Sequence, residues 1–180
     1  ISAFTACILN DPQNAFAYAR RGIAYGKSER YRESLDDFDR AISLLNSWDE
    51  PYNNRGLTYY RLSRFDEAIA DYDRAIAISP GVALFYANRG LALVWKGEYD
   101  AAMADYNKAI KLDPELPETH NNRGELYATL GDYEKAIADF QRELEINPGD
   151  ANAYANLILA RELSLGHPLP DGTDITEDEL

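Results

Sequence analysis

The chain has 180 residues, of which 46% are hydrophobic and 27% are charged, enough for one domain with a buried core. Its 31 acidic residues outnumber 18 Lys and Arg, and the net charge of −13 argues against nucleic acid or anionic lipid as a partner. One Cys and two His are too few for a disulfide or a zinc site, so we expect no metal and no cofactor. The sequence has no apolar run of about 18 residues, which argues against membrane insertion.

Four glycines recur at intervals of 34 residues and mark copies of one sequence unit. They are Gly22, Gly56, Gly90 and Gly124, and an Arg precedes each of them. An aromatic column keeps the same register and comprises Tyr31, Phe65, Tyr99 and Tyr133. Within each unit, apolar residues recur at the three-to-four spacing of an amphipathic helix. The pattern predicts two antiparallel helices per unit, which we call helix A and helix B.

In chain order, the spacing predicts seven segments. Residues 1–14 form the remnant helix B of an upstream repeat, and residues 15–48, 49–82, 83–116 and 117–150 are four complete repeats. Residues 151–165 form a capping helix, and residues 166–180, with five acids and no Lys or Arg, form a disordered acidic tail. Because Gly weakens a helix, its recurrence in helix A predicts that helix B packs too closely there for a side chain.

An Asp follows each of the recurring arginines by 16 residues, on the helix that packs against it. We predict four ion pairs within the repeats: Arg21–Asp37, Arg55–Asp71, Arg89–Asp105 and Arg123–Asp139. The alternative is that both columns are solvated, in which case each pair contributes only about 0–1 kcal/mol.

Two residues with reactive side chains occupy repeat columns. Cys7 lies in the small-residue column that also holds Ala41, and His120 lies in an aromatic column with Tyr52 and Tyr86. We interpret both as packing residues. No phosphate loop, nucleophile motif or metal-spaced cluster accompanies them, so we expect no enzyme activity from this chain.

The glycine, aromatic, alanine and proline columns together resemble those of the tetratricopeptide repeat (TPR) family. The resemblance implies an all-α, right-handed superhelical α-solenoid of antiparallel helix pairs, with helix A lining a concave groove. It implies that the groove binds a peptide or a partner helix, as a protein–protein interaction scaffold. The groove residues it implies are Asn54, Leu57, Tyr60, Asn88, Leu91, Val94, Trp95, Asn122 and Glu125. Lys27 and Arg61 share an inward column with Trp95.

Partner chemistry follows from charge and from the groove residues. We expect a protein or peptide with apolar or basic surface, because the chain is acidic and the predicted groove centre is apolar. Some TPR proteins hold the C-terminal carboxylate of chaperones with Lys and Arg on helix A. The corresponding positions here include Ala19, Asn54 and Leu84, which disfavours that ligand.

Two other interpretations stay open. The chain could be the recognition module of a larger enzyme whose catalytic domain is absent here. It could also be a self-assembling scaffold that forms a homodimer through the truncated N-terminal helix, where Ile1, Phe4, Ile8 and Leu9 lack a preceding helix A. The sequence leaves the compartment open: a single unpaired Cys fits a reducing cytoplasm somewhat better than a secreted or periplasmic location.

Overall fold

The computed structural model describes residues 1–166, and the regular structure of this part is entirely α-helical. This confirms the predicted all-α helical-repeat solenoid class. The helices are α1 (Ser2–Asn10), α2 (Ala15–Lys27), α3 (Tyr31–Leu44), α4 (Asp49–Arg61), α5 (Phe65–Ile78), α6 (Ala83–Trp95), α7 (Tyr99–Leu112), α8 (Thr119–Thr129), α9 (Tyr133–Ile146) and α10 (Ala151–Ser164). None of these ten helices is long and apolar enough to cross a bilayer. Apart from Gly166, the predicted acidic tail lies outside the described residues.

The chain forms two compact units. Unit 1 is Ile1–Leu112 and holds α1 to α7, and the described part of unit 2 is residues 113–166 with α8 to α10. In unit 1, α2 packs on α3, α4 on α5 and α6 on α7, and α1, α3 and α5 each also pack on the helix that follows. In unit 2, α9 packs between α8 and α10. Each unit is therefore built from the helix pairs that the 34-residue spacing predicts.

The recurring glycines lie where an aromatic ring of helix B reaches helix A. A Cβ added at Gly56 would be 2.8 Å from Cε1 of Tyr72, and one at Gly124 would be 2.7 Å from Cε1 of Phe140. Both rings are fully buried, so neither has space to move away. The predicted steric role of these glycines is confirmed.

A single left-handed residue closes the turn from helix A to helix B in each repeat. It is Glu29, Ser63, Gly97 or Gly131, with φ between 56° and 80°. The N–H that follows it reaches back to a carbonyl of helix A, as from Arg64 to Tyr59 at 2.9 Å. Such a contact satisfies a carbonyl that the helix end would leave unpaired.

The start of unit 2 departs from the repeat pattern. Helix α8 begins at Thr119, and Glu118 before it has a left-handed backbone with φ of 66°. The Glu118 N–H donates to Oε1 of Glu143 at 2.9 Å. Glu143 occupies the column that holds Ala41, Ala75 and Ala109 in unit 1, and it is fully buried. Its Oε2 has no hydrogen-bond partner among the described residues.

Helix α1 leaves Cys7 exposed, so the prediction that Cys7 packs in the core is wrong. The reason is that α1 packs against α2 alone, whereas α3, which carries Ala41, packs against both α2 and α4. Ile8 is buried, and Leu9 is 80% exposed.

Candidate functional site

Each recurring Arg of helix A pairs with an Asp of helix B, and all four predicted ion pairs are confirmed. In every repeat, Nε and Nη2 of the Arg donate to the two carboxylate oxygens of the Asp at 2.6–2.8 Å. The four Asp side chains are buried. Bidentate, charge-assisted contacts of this kind fix the relative rotation of the two helices.

In unit 1 the same guanidinium groups also reach the preceding helix B. Nη1 of Arg55 donates to Asp39, and Nη1 of Arg89 donates to Asp73. Arg21 makes the corresponding contact to Thr5 Oγ1 at 3.2 Å. Each of these arginines therefore joins three helices from two successive repeats.

Tyrosine rings flank these arginines and account for part of the chain's 13 Tyr. The Arg55 guanidinium lies 5.8 Å from the ring centre of Tyr52 and 5.9 Å from that of Tyr59. Arg21 has the same relation to Tyr18 and Tyr25, at 5.7 Å each. These distances are within the range of a cation–π attraction. These contacts hold the A helices of unit 1 rigidly against the B helices.

A small apolar pocket opens between α2 and α4. Asn54 and Leu57, both predicted groove residues, line it together with residues of α2 and α3. The other lining residues are Gly22, Ile23, Gly26, Lys27, Ser34, Phe38, Thr58 and Arg61. The structure thus places two predicted site residues on a concave surface between successive A helices.

Tyr60 and Trp95, also predicted, are in direct contact. The Trp95 Nε1–H donates to the Tyr60 hydroxyl at 2.7 Å, which links the ends of α4 and α6. The ring of Phe65 stacks on Trp95 with centroids 5.9 Å apart and an interplanar angle of 8°. Trp95 is nevertheless 54% exposed. We call Tyr60, Phe65 and Trp95 the aromatic cluster.

Leu91 and Val94 lie on α6 and are half-buried. They precede Trp95 by four residues and by one residue, so Leu91 shares its helix face. Leu57 on α4 is half-buried as well, and we expect the three residues to form the apolar centre of a face on α2, α4 and α6. We call this face the groove face of unit 1.

The Asn side chains are largely engaged inside the molecule. Nδ2 of Asn54 donates to the Glu50 carbonyl at 2.8 Å, and Nδ2 of Asn88 donates to Asn53 Oδ1 at 2.9 Å. In unit 2, Asn156 donates to Asn121 at 3.1 Å in the same way. The pairs between amides join successive A helices, and Asn54 and Asn88 each use one amide N–H within the molecule.

Asn122 and Glu125 lie in unit 2, where they line a polar pocket. Glu118, Asp150 and several amide side chains complete the lining. Glu125 Oε1 accepts hydrogen bonds from Asn121 and Asn156, at 2.8 Å each. These two predicted residues therefore face a polar, acidic surface.

His120 has a structural role, as predicted. Its Nδ1 is 3.2 Å from Asp139 Oδ1, and its Nε2 is 3.2 Å from the Pro114 carbonyl. The Tyr86 hydroxyl makes the corresponding contact to the Pro80 carbonyl at 3.1 Å. Burial alone would raise the pKa of Asp139, but hydrogen bonds from Arg123 and then His120 outweigh it, and the pKa is lowered.

Phe65 and Asn53 are the residues of this surface that the sequence did not identify. Phe65 belongs to an aromatic column that recurs in every repeat, which predicts a structural role and gives no sign of its contact with Trp95. Asn53 pairs with Asn88, which is 35 residues away and hence in a different column. A search for polar pairs one residue outside the 34-residue period would have found it.

Comparison with known proteins identifies the repeat. Family models match as "Tetratricopeptide repeat" over residues 50–81 and 117–150 and as "TPR repeat" over residues 92–131, together about half of the chain. No curated protein matches the chain significantly.

Several solved structures share the fold. A thermophilic TPR protein of Thermus thermophilus, TTC0263, is 22% identical with a TM-score of 0.76, covering 89% of this chain and 88% of its own. YrrB, described as a TPR protein with an unusual peptide-binding site, is 21% identical with a TM-score of 0.73, covering 91% and 84%. The second TPR domain of human RPAP3, solved with the HSP70 peptide SGPTIEEVD, is 30% identical with a TM-score of 0.58, covering 61% and 92%. The chain therefore belongs to the tetratricopeptide repeat family.

Proposed function

We propose that this protein is a non-enzymatic scaffold that binds a peptide or a helix of a partner protein on the groove face of unit 1. The observation that carries the proposal is the aromatic cluster, where a half-exposed Trp95 is held in place by Tyr60 and Phe65. An exposed Trp that is already ordered contributes contact area at low entropic cost, and Trp is enriched among interface hot spots.

Related structures support an interaction role. YrrB is described with a peptide-binding site, and the RPAP3 domain was solved with a bound peptide. TPR repeats are generally interaction modules without catalytic activity, in agreement with a scaffold here.

The mechanism is preorganisation. Arg55 and Arg89 join helices of successive repeats, and Asn88 joins α6 to α4. The A helices of unit 1 are thus fixed relative to one another before a partner arrives, so little ordering remains to be done on binding. Leu57, Leu91 and Val94 supply the apolar contact area beside Trp95. The further expectation of a basic partner rests on the net charge of −13 and stays a prediction.

A pull-down that compares the wild type with a groove variant tests the proposal. The variant combines Leu57→Ala, Leu91→Ala and Trp95→Ala, and the control combines Leu9→Ala with Leu130→Ala, two exposed apolar residues outside the groove face. We expect partners of the wild type to be retained by the control and lost by the groove variant. Circular dichroism and thermal unfolding establish that both variants fold. Equal retention by a folded groove variant contradicts the proposal.

The two other interpretations stay predictions. A homodimer through α1 is motivated by the exposure of Leu9, and a monomeric mass in light scattering at high protein concentration would argue against it. A role as the recognition module of an enzyme would be supported by a coding sequence that continues into a catalytic domain.

A further inference from the structure

The pocket between α2 and α4 has the size and lining to hold an aliphatic side chain. Its volume is about 100 Å³, and Ile23, Phe38 and Leu57 supply apolar surface. A cavity of about 150 Å³ with such a lining accommodates benzene, so this smaller one suits a branched aliphatic group. An aliphatic side chain that enters the pocket removes apolar surface from water, which favours apolar occupants.

The pocket exists because α2 carries Gly26 near its end. The equivalent positions of the next two A helices hold Tyr60 and Val94, which have large side chains where α2 has none. A Cβ added at Gly26 would lie 3.3 Å from Ser34 Oγ and 3.9 Å from Thr58 Oγ1, so the floor of the pocket is only just beyond the backbone. The opening is therefore a specific feature of the first repeat of unit 1.

The charge around this pocket is opposite to that of the chain. Lys27 and Arg61 are among the lining residues, and no Asp or Glu is. Neither cation has an ion pair or an aromatic contact among the described residues, whereas Arg20, Arg30, Arg64 and Lys96 of the same unit are each paired with a carboxylate. In a chain of net charge −13, two unpaired cations at one apolar pocket form a local positive site.

We propose that this pocket selects a partner segment in which an aliphatic residue stands next to acidic residues. The aliphatic side chain occupies the pocket, and the neighbouring carboxylates pair with Lys27 and Arg61. The inference rests on the proposed binding function of the groove face and adds the chemistry of the partner. It departs from the expectation of a basic partner, because the charge that a ligand meets at this pocket differs in sign from the net charge.

The acidic groups recognised are side chains within a partner sequence, and not a chain end. A terminal carboxylate is held by several donors that converge on one point. Here one N–H of Asn54, the amide that lines the pocket, is already used by the Glu50 carbonyl, which leaves that amide a single free donor. Lys27 and Arg61 lie at the ends of different helices, α2 and α4, which suits two separate carboxylates.

Fluorescence anisotropy with defined peptides tests the proposal on the full chain. The probe is a labelled peptide with blocked ends and the core Asp-Leu-Glu between Gly-Ser spacers. Three comparison peptides have the core Asn-Leu-Gln, Asp-Gly-Glu or Lys-Leu-Lys, and a fourth is the probe with a free C-terminal carboxylate directly after its Glu. We expect the probe to bind at least about tenfold more tightly than the first three, more weakly at high salt, and equally well with the free carboxylate.

Two variants and one control locate the binding. Lys27→Glu combined with Arg61→Glu reverses the local charge, and Gly26→Val fills the pocket with the side chain that Val94 supplies in the third repeat. Both should weaken probe binding by at least about tenfold. Arg32→Glu combined with Lys111→Glu changes the net charge equally at unpaired cations of unit 1 outside the pocket, and should weaken it by no more than about twofold.

The outcomes separate this inference from the proposed function. The inference is wrong if the probe binds no more tightly than the Asn-Leu-Gln peptide, or more weakly than the Lys-Leu-Lys peptide. It is also wrong if binding is seen only for the peptide with the free carboxylate, or if neither Gly26→Val nor the charge reversal weakens probe binding. The proposed function still stands in that case if partners remain dependent on Leu57, Leu91 and Trp95 in the pull-down. If neither set of variants affects binding, both are wrong.

Discussion

The guanidinium of Arg55 holds both carboxylate oxygens of Asp71, at 2.8 and 2.6 Å, between a helix A and its own helix B. Asp71 is 5% exposed, so its negative charge has little contact with water and is stabilised mainly by Arg55. Replacing Arg55 by Ala leaves a buried charge unpaired, and we expect it to lower the free energy of unfolding by about 3–5 kcal/mol. Urea unfolding followed by circular dichroism measures the change.

The control for that substitution is Arg64→Ala, which removes an equally short but exposed pair with Glu67. Its expected cost is about 0–1 kcal/mol. Similar costs for the two variants would mean that the Arg column contributes no more than a surface ion pair. Arg55→Lys, which keeps the charge but not the two parallel N–H bonds, should lie between them.

Gly124→Ala should destabilise the protein more than Gly26→Ala. At Gly124 the new Cβ would be 2.7 Å from a ring carbon of the buried Phe140, whereas at Gly26 it would be 3.3 Å from Ser34 Oγ. We expect Gly124→Ala to lower the free energy of unfolding by about 1–3 kcal/mol through overpacking. Gly26→Ala should stay within about 1 kcal/mol of the wild type, because its contact is longer and Ala favours the helix.

Thermal unfolding of the two variants side by side measures this difference. In a protein that already carries Phe140→Leu, Gly124→Ala should lower the free energy of unfolding by less than it does in the wild type, because the ring that the new Cβ would meet is gone. A Gly124→Ala variant as stable as the wild type would show that the ring can move, and would contradict the steric explanation of the Gly column.

The ion pairs show how far the sequence predicts this structure. Arg21 to Asp37 and its three equivalents could be predicted because each partner recurs in register, so one pairing implies the rest. The aromatic cluster was only partly predictable, since Phe65 fills a column that supports the fold in all repeats. Glu143 could not be predicted to cap the loop at Glu118, because it is a single departure from its Ala column and its effect depends on the local backbone. Cys7 was misjudged because its column implies burial only where helices cover both sides.

Acid should destabilise unit 2 through Asp139. Its pKa is lowered in the folded state, so its stabilising effect is present above the unfolded pKa of about 3.9 and is lost as the pH falls through the folded pKa. We expect the wild type to lose stability between about pH 5 and pH 2, and Asp139→Asn to show a flatter dependence over the same range. Urea midpoints at several pH values give the two slopes. Glu134→Gln, at an exposed site on the same helix, should keep the wild-type slope.

Glu143→Gln should destabilise the protein. The side chain of Glu143 is fully buried, and only its Oε1 has a partner among the described residues. The Gln amide keeps an acceptor for the Glu118 N–H but places two N–H donors where Oε2 has no partner, so we expect a loss of about 1–3 kcal/mol. Differential scanning calorimetry measures it. An unchanged or higher melting temperature would mean that the amide finds acceptors that the described contacts do not include.

The contact between Arg55 and Asp39 has a consequence for building longer proteins from this one. Residues 49–82 carry Arg55 near one boundary and Asp73 near the other, and Asp73 already pairs with the next Arg in line, Arg89. In a tandem duplicate of residues 49–82, Asp73 of the first copy would lie opposite Arg55 of the second copy. The two opposite charges would then pair across the new junction. The ion pair that joins successive repeats would therefore recur at each new junction and keep the added repeat in register.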